Sequence, residues 1–250
     1  MMIRDSLIAP FDQKMDIVIA CDNSGSIGMK TADDVSAPYD VVSYFAFRVA
    51  YMECMAAGGI PFSVIIQNFN DKSAWNSLLT GIKRGCNELA IDPLPITGST
   101  ESNFSLAQSA TGITVLGKRL RKAAHSPAIE QVLSAAVIGS PLIGNEVIEQ
   151  KENIAPLALF QWFCKQHTVL TVVPVGSKGI LHELRQLFPD QSLDFTCDLR
   201  MEKSSGPSTC FIAVYAESDH RIITSKAGRL FHNVNVNGGS FTSSELKIDR

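Results

Sequence analysis

The chain has 250 residues, 22 Lys+Arg against 25 Asp+Glu, a formal net charge of −3 and a 45% hydrophobic content. That apolar share excludes a disordered tail protein, and the lack of a basic excess argues against binding nucleic acid through its phosphates. No apolar run of about 18 residues is present to cross a membrane as a helix.

The first eleven residues hold no long apolar segment of the kind that marks an export signal, so a cytoplasmic protein is expected. The six cysteines (21, 54, 86, 164, 197 and 210) form no C-x-x-C pair and read as reduced thiols. The five histidines are scattered singly, without the clustering of a metal site.

In chain order, residues 15–22 (MDIVIACD) form a β-branched run that predicts a strand, followed by a polar loop over 23–30. Residues 39–57 carry Val42, Phe45, Ala46, Val49, Met52, Met55 and Ala56 at helical spacing, and Gly58, Gly59 and Pro61 stop the helix. A strand over 62–69, an amphipathic helix over 74–90, a short strand over 94–97 and a strand over 110–118 complete a βαβαββ order. The basic stretch 118–127 reads as a linker.

The second half repeats the alternation. A strand is expected over 134–139, a helix over 154–166 with Pro156 in its first turn, and a strand over 168–175 leading into Gly176-Ser177-Lys178-Gly179 and a helix through Leu187. Residues 208–216 and 221–224 read as strands, and the Asn, Gly and Ser content from Asn233 onward predicts a loose C-terminal end. The fold class is therefore α/β with two domains, 1–122 and 123–250.

The residues able to carry chemistry cluster at predicted strand ends. Asp22 closes an apolar strand beside Ser24, Gly25 and Gly28, with Asp33 and Asp34 following. A carboxylate so placed can hold a hard divalent cation while nearby amides approach phosphate oxygens. Glu53 lies in an apolar helix, where a carboxylate needs a partner or a metal. Gly98, Ser99, Thr100 and Glu101 form a second polar loop at a strand end, and such loops converge on one sheet edge. Asp22, Glu53 and Glu101 are thus expected to form one acidic cluster. Gly112-x-x-x-x-Gly117-Lys118 mimics a phosphate loop, but Arg119 replaces the required Ser or Thr and the interior residues are strand formers. Lys178, in the glycine-bearing loop before a helix, is the better phosphate candidate.

The segments VIACDNSGSIG (18–28), MECMAAGGIP (52–61), ITGSTE (96–101) and the strand from Gly112 to Gly117 together resemble a known family. It is the ATP-binding superfamily of aminoimidazole ribonucleotide synthetase, thiamine-monophosphate kinase and selenophosphate synthetase, and the resemblance spans about residues 15–230. With SPLIGNEVI and PVGSKGI added, the chain looks most like the small α-ribazole kinase group.

The resemblance implies a synthetase-like fold whose N-terminal sheet pairs with its twin in a dimer barrel. It also implies an ATP- and Mg2+-dependent kinase acting on a nucleoside-like alcohol, in particular making α-ribazole 5′-phosphate. On it, Asp22, Glu53 and Glu101 hold metal, and Ser24, Gly25, Gly28, Gly98, Ser99 and Thr100 contact the cofactor, with Lys178, read from its own loop, expected near a phosphate. From the residues themselves, Asp33 or Asp34 is expected to hold a second metal or orient the acceptor hydroxyl. Glu53 stands where the family has Asp, and 175–179 lacks the carboxylates of the family's second-domain motif. A rival reading takes Asp22-x-Ser24-x-Ser26 as the metal signature of a von Willebrand A-like binding module.

Overall fold

A computed structural model describes residues 2–3, 5–121, 130–237 and 241–247. The chain divides into two compact units, Met1–Arg121 and Lys122–Arg250. The residues 122–127 of the expected linker lie outside the described set.

In the first unit the strands are β1 (Met2–Ile3), β2 (Ser6–Pro10), β3 (Met15–Gly25), the short β4 (Ile27–Gly28) and β5 (Val35–Ser36), β6 (Ile60–Asn68), β7 (Ile96–Thr100) and β8 (Ala110–Leu120). The helices are α1 (Tyr39–Ala56) and α2 (Trp75–Glu88). One sheet runs β1-β2-β3-β8-β6-β7, antiparallel except for the parallel β6–β7 pair that α2 crosses over, and it is open within one chain. β4 and β5 form a separate parallel pair.

Two expectations shift here. β3 continues through Asn23, Ser24 and Gly25, each paired with β8, where a loop was expected. Likewise β7 begins later and includes Gly98, Ser99 and Thr100, because those residues pair with β6. β2 carried no strong apolar signal; its Ser6 is buried and donates to the Glu53 carbonyl oxygen.

Alternation along β3 and β8 sorts the sheet faces. Val18, Ala20, Ile113, Val115, Val64 and Ile66 are buried under α1, which packs on β3 and β8. Leu7, Ile17, Ile19, Leu116 and Ile65 occupy the opposite face, which no helix among the described residues of the unit covers, and stay partly exposed. α2 packs against α1 through glycine contacts: a Cβ at Gly85 would strike the Phe47 ring, and one at Gly81 would strike the α1 backbone at Asp40.

Both helices end in the same way. In α1 the Gly59 N–H bonds the Cys54 carbonyl and the Gly58 N–H bonds the Met55 carbonyl, with Gly58 at φ +79°. In α2 the Ile91 and Ala90 amides repeat this pattern onto Cys86 and Asn87, with Ala90 at φ +51°.

The second unit comprises β9 (Val132–Ile138), α3 (Glu146–Glu149), α4 (Leu157–Lys165), β10 (Val169–Pro174), α5 (Gly179–Leu187), β11 (Phe195–Thr196), β12 (Phe211–Ala216), α6 (His220–Ala227), β13 (Phe231–Val236) and β14 (Phe241–Thr242). Its antiparallel sheet runs β10-β12-β9-β13-β11, with β14 beside β9. Ile212 and Val214 pack with Ile180 and Leu184 of α5. From the other face Phe160 and Phe163 of α4 meet Phe211 edge-on, at 5.1 and 5.2 Å between ring centres.

Two further expectations are corrected. Residues 221–224 belong to α6, not a strand: Ile223 is buried and Ile222 is 60% exposed, as helical rotation requires and strand alternation with Arg221 does not. Within the stretch expected to be loose, Asn233 and Val234 of β13 and both residues of β14 pair with β9, and Asn235 and Val236 pair with β11.

Candidate functional site

The ends of β3, β6 and β7 and the start of β8 form one edge of the first sheet. Across it Asp22, Ile113, Ile66 and Gly98 are aligned in one row, and Ser24, Thr111, Asn68 and Thr100 in another. The first row faces α1, so Asp22 is half-buried beside apolar neighbours. Burial pushes its carboxyl up to about 7, against the pull of the Asn23 N–H. No ion pair to Asp22 exists among the described residues. Among the described residues it is a carboxylate without a counter-charge.

The other acidic candidates are differently placed. Three strand spacings separate Asp22 from Gly98, about 14 Å, and Glu101 lies past the end of the same strand as Gly98. Glu101 accepts the Asn103 N–H at 2.6 Å and the Phe104 N–H, turning the chain after β7. Glu53 is 7% exposed in the last turns of α1, where its carbonyl takes the Ser6 hydroxyl. Among the described residues no three His, Cys, Asp or Glu side chains converge as a metal group. The expected acidic cluster is therefore not assembled among the described residues: three strand widths hold Asp22 and Glu101 apart, and Glu53 belongs to helix α1.

Asp33 and Asp34 serve the loop that carries them. Asp33 accepts the Ser109 N–H at 2.6 Å, the Ser109 hydroxyl at 2.7 Å and the Lys30 N–H at 2.9 Å. Desolvation pushes its carboxyl up, but these bonds and the Lys30 charge outweigh that and hold it below the usual range. Asp34 takes the Ser26 hydroxyl at 2.5 Å. Ser26, at φ +59°, also accepts from Gln108. With Ser26 so engaged and Asp22 and Ser24 inside a regular antiparallel ladder, the metal signature of the binding-module reading is not formed.

The glycine and hydroxyl candidates divide in the same way. Gly25 has open space where a Cβ would project, whereas a Cβ at Gly28 would strike Ser109 and Tyr39, so Gly28 is a packing residue. Gly98 lets β7 pass the Ile66 carbonyl, and Ser99 is exposed on the opposite face of β7. The Thr100 hydroxyl accepts from Asn68. Sequence reasoning missed this asparagine pair: Asn68 and Asn70 are buried, Asn70 donates to Thr111, and its side-chain oxygen takes the Ala110 N–H. Two asparagines at an apolar strand's end were the available signal.

In the second unit Lys178 is exposed at the start of α5. Two of the amides expected to attract phosphate there already have acceptors: Gly179 N–H bonds the Gly176 carbonyl, and Leu181 N–H bonds the Met201 carbonyl at 2.9 Å. Gly179, at φ +82°, has the Met201–Glu202 backbone where a Cβ would stand. The Gly112–Arg119 segment lies wholly in β8, which removes the phosphate-loop mimic.

No family model and no curated protein matches the chain. Solved structures match across nearly all of it. Thiamine monophosphate kinase (ThiL) from Aquifex aeolicus superimposes with a TM-score of 0.60 at 12% identity, over 94% of this chain and 89% of that one. AaThiL complexed with AMPPCP and TMP gives 0.60 at 13%, over 94% and 85%. T. maritima PurL complexed with ADP gives 0.55 at 11%, over 92% and 42%, so this chain spans about two fifths of that PurL. The fold is thus the one these proteins share, as the residue patterns around Asp22 and Gly58 led us to expect.

Proposed function

We propose that the chain is an ATP-dependent small-molecule kinase whose nucleotide phosphates are held at the β3–β6–β7 edge. The observation that carries this reading is Asp22: a half-buried carboxylate at a strand end, with no cation of its own among the described residues. It stands in a fold whose solved examples include complexes with ADP and AMPPCP.

Mg2+ keeps most of its shell as water and substrate oxygens and needs only one or two protein carboxylates. A single well-placed aspartate therefore fits it better than a dense acidic cluster. Bound there, the cation would neutralise charge developing on the transferred phosphoryl group. Asp22 would ionise on taking it, which removes the penalty of a buried, unpaired charge. Gly25, with open space beside it, leaves room for a phosphate at the backbone, and Ser24 offers a hydroxyl two residues from Asp22.

Glu101 and Ser99 stand past and on the far strand of that edge, where the acceptor alcohol would approach. We assign Glu53 to packing at the end of α1, and Lys178 to solvent. The acceptor we favour is nucleoside-like, with α-ribazole first in line from the sequence resemblance. The face bearing Leu7, Ile17, Ile19, Ile65 and Leu116, which the described helices of its own unit leave open, supports a homodimer, in which a second sheet would close a barrel over it.

The test is ADP release with α-ribazole or thiamine monophosphate as acceptor, with and without Mg2+. Asp22→Asn should lower turnover by about a hundredfold or more while the fold is retained. Turnover in that variant equal to wild type would overturn the assignment.

A further inference from the structure

The segment 101–109, between β7 and β8, has no regular secondary structure, and Phe104 within it is 80% exposed. It is nevertheless fastened at several points, and the strongest comes from Lys30. The Lys30 Nζ donates to the carbonyl oxygens of Phe69 at 3.2 Å, Leu106 at 2.9 Å and Gln108 at 3.2 Å. An ammonium has three hydrogens, and here each has a backbone carbonyl.

The three acceptors come from two separate stretches of chain, the end of β6 and the far half of the loop. Lys30 itself belongs to a third, after β4. The same stretch supplies Asp33, which takes the N–H and hydroxyl of Ser109, and the Ala32 carbonyl, which takes the Gln108 side-chain amide. Lys30 thus stands as a compact charge inside a ring of carbonyl dipoles, with donors and acceptors around it already matched.

We infer that Lys30 is the resident cation of a carbonyl cage that holds the 101–109 loop in place, and that the cage accepts a free monovalent cation when the ammonium is removed. The chemistry is shared: carbonyl oxygens solvate K+ or NH4+ with the same dipoles that solvate a lysine ammonium. Lys30 is on this account a positioning residue, acting through the loop. The inference does not depend on the kinase reading, because its readouts are loop protection and cation selectivity, not turnover.

The experiment is limited chymotrypsin digestion, scored by the fragment ending at Phe104, in KCl, NH4Cl or choline chloride of equal ionic strength. Charge-assisted bonds to three carbonyls predict that Lys30→Ala and Lys30→Met are cut about tenfold faster than wild type in choline. K+ or NH4+ should return Lys30→Ala to within about twofold of wild type, since the shortened side chain leaves the cage open. Lys30→Met should stay fast in every salt, because its apolar end occupies the same space without charge. Wild type should be cut at one rate in all three salts.

Three results would overturn the inference: wild-type protection in Lys30→Ala in choline, equal recovery of both variants in K+, or recovery of Lys30→Ala in choline as complete as in K+. Should neither variant fold, wild type decides alone. A wild-type loop protected by K+ over choline would show that the ammonium does not fill the cage, and a rate equal in all three salts would support it.

Discussion

Two interior strands, β3 of the first sheet and β12 of the second, are both rich in aliphatic residues but are buried differently. In β12 every residue from Phe211 to Tyr215 is fully buried, because α5 covers one face and α4 the other. In β3 burial alternates, with Val18 and Ala20 inside and Ile17 and Ile19 only partly shielded. A sheet covered twice is finished within its own unit. One covered once leaves aliphatic surface whose burial needs another partner.

The strand-end edges differ as well. In the second unit the nearby charges and hydroxyls are paired: Lys203 with Glu146 at 2.8 Å, and Thr209 with Ser205 and the Ser140 carbonyl. In the first, the loop groups around Asp33 and Lys30 are matched, whereas Asp22 has no ion-pair partner among the described residues. Stability is concentrated where everything is satisfied, and chemistry is expected where one group is left over.

Charge insertion tests the contrast most severely. Val214→Asp places a carboxylate among the α5-facing core and should cost on the order of 4 kcal/mol or more, eliminating the cooperative melt of the second unit. Ile19→Asp, on the uncovered face of β3, should change the melt by less than about 1 kcal/mol. On the proposed homodimer, it should instead shift sedimentation towards the monomer. Equal destabilisation by both would erase the distinction between the sheets.

The second test is pH. The Asp22 carboxyl is raised from 3.8 to about 7 in the folded chain, so folding takes up protons between those values. Its contribution is fully present below about 3.8 and is lost as pH rises through about 7. The melting temperature of wild type should therefore fall relative to Asp22→Asn across that window, with Mg2+ and ATP narrowing the gap near the upper end. Parallel curves for the two proteins would mean that Asp22 is not the group left over.

The smallest effect concerns the helical cover of the first sheet. α1 and α2 share one type of terminus, yet α1 places Gly58 at the left-handed position and α2 places Ala90 there. Ala90→Gly should stabilise by up to about 1 kcal/mol, and Gly58→Ala should destabilise by a similar amount, in thermal melts.

The helix of α1 was legible because its apolar residues repeat at 3.6 and two glycines stop it: residues 39–57 were expected and Tyr39–Ala56 is found. Asp22 was legible for a related reason, a lone acid after an apolar strand. Asp33 was not, since its role depends on Ser109, 76 residues away. The separation of Asp22 from Glu101 was equally invisible, because sequence marks strand ends without saying how many strands lie between them. The run 221–224 misled through local β-branched preference, which packing of Ile223 overrode.

The pairing of β3 with β8 carries a consequence for how the chain is made. Met15 lies opposite Leu120 and Gly25 opposite Ala110, so the two central strands of the first sheet are joined across most of the unit. During synthesis β3 has only the short β2 beside it until residue 120 has left the ribosome. The helices can form earlier from local contacts, while the aliphatic edge of β3 stays unpaired. The nascent chain is therefore most prone to aggregate in that interval, and closure of β8 onto β3 ends it.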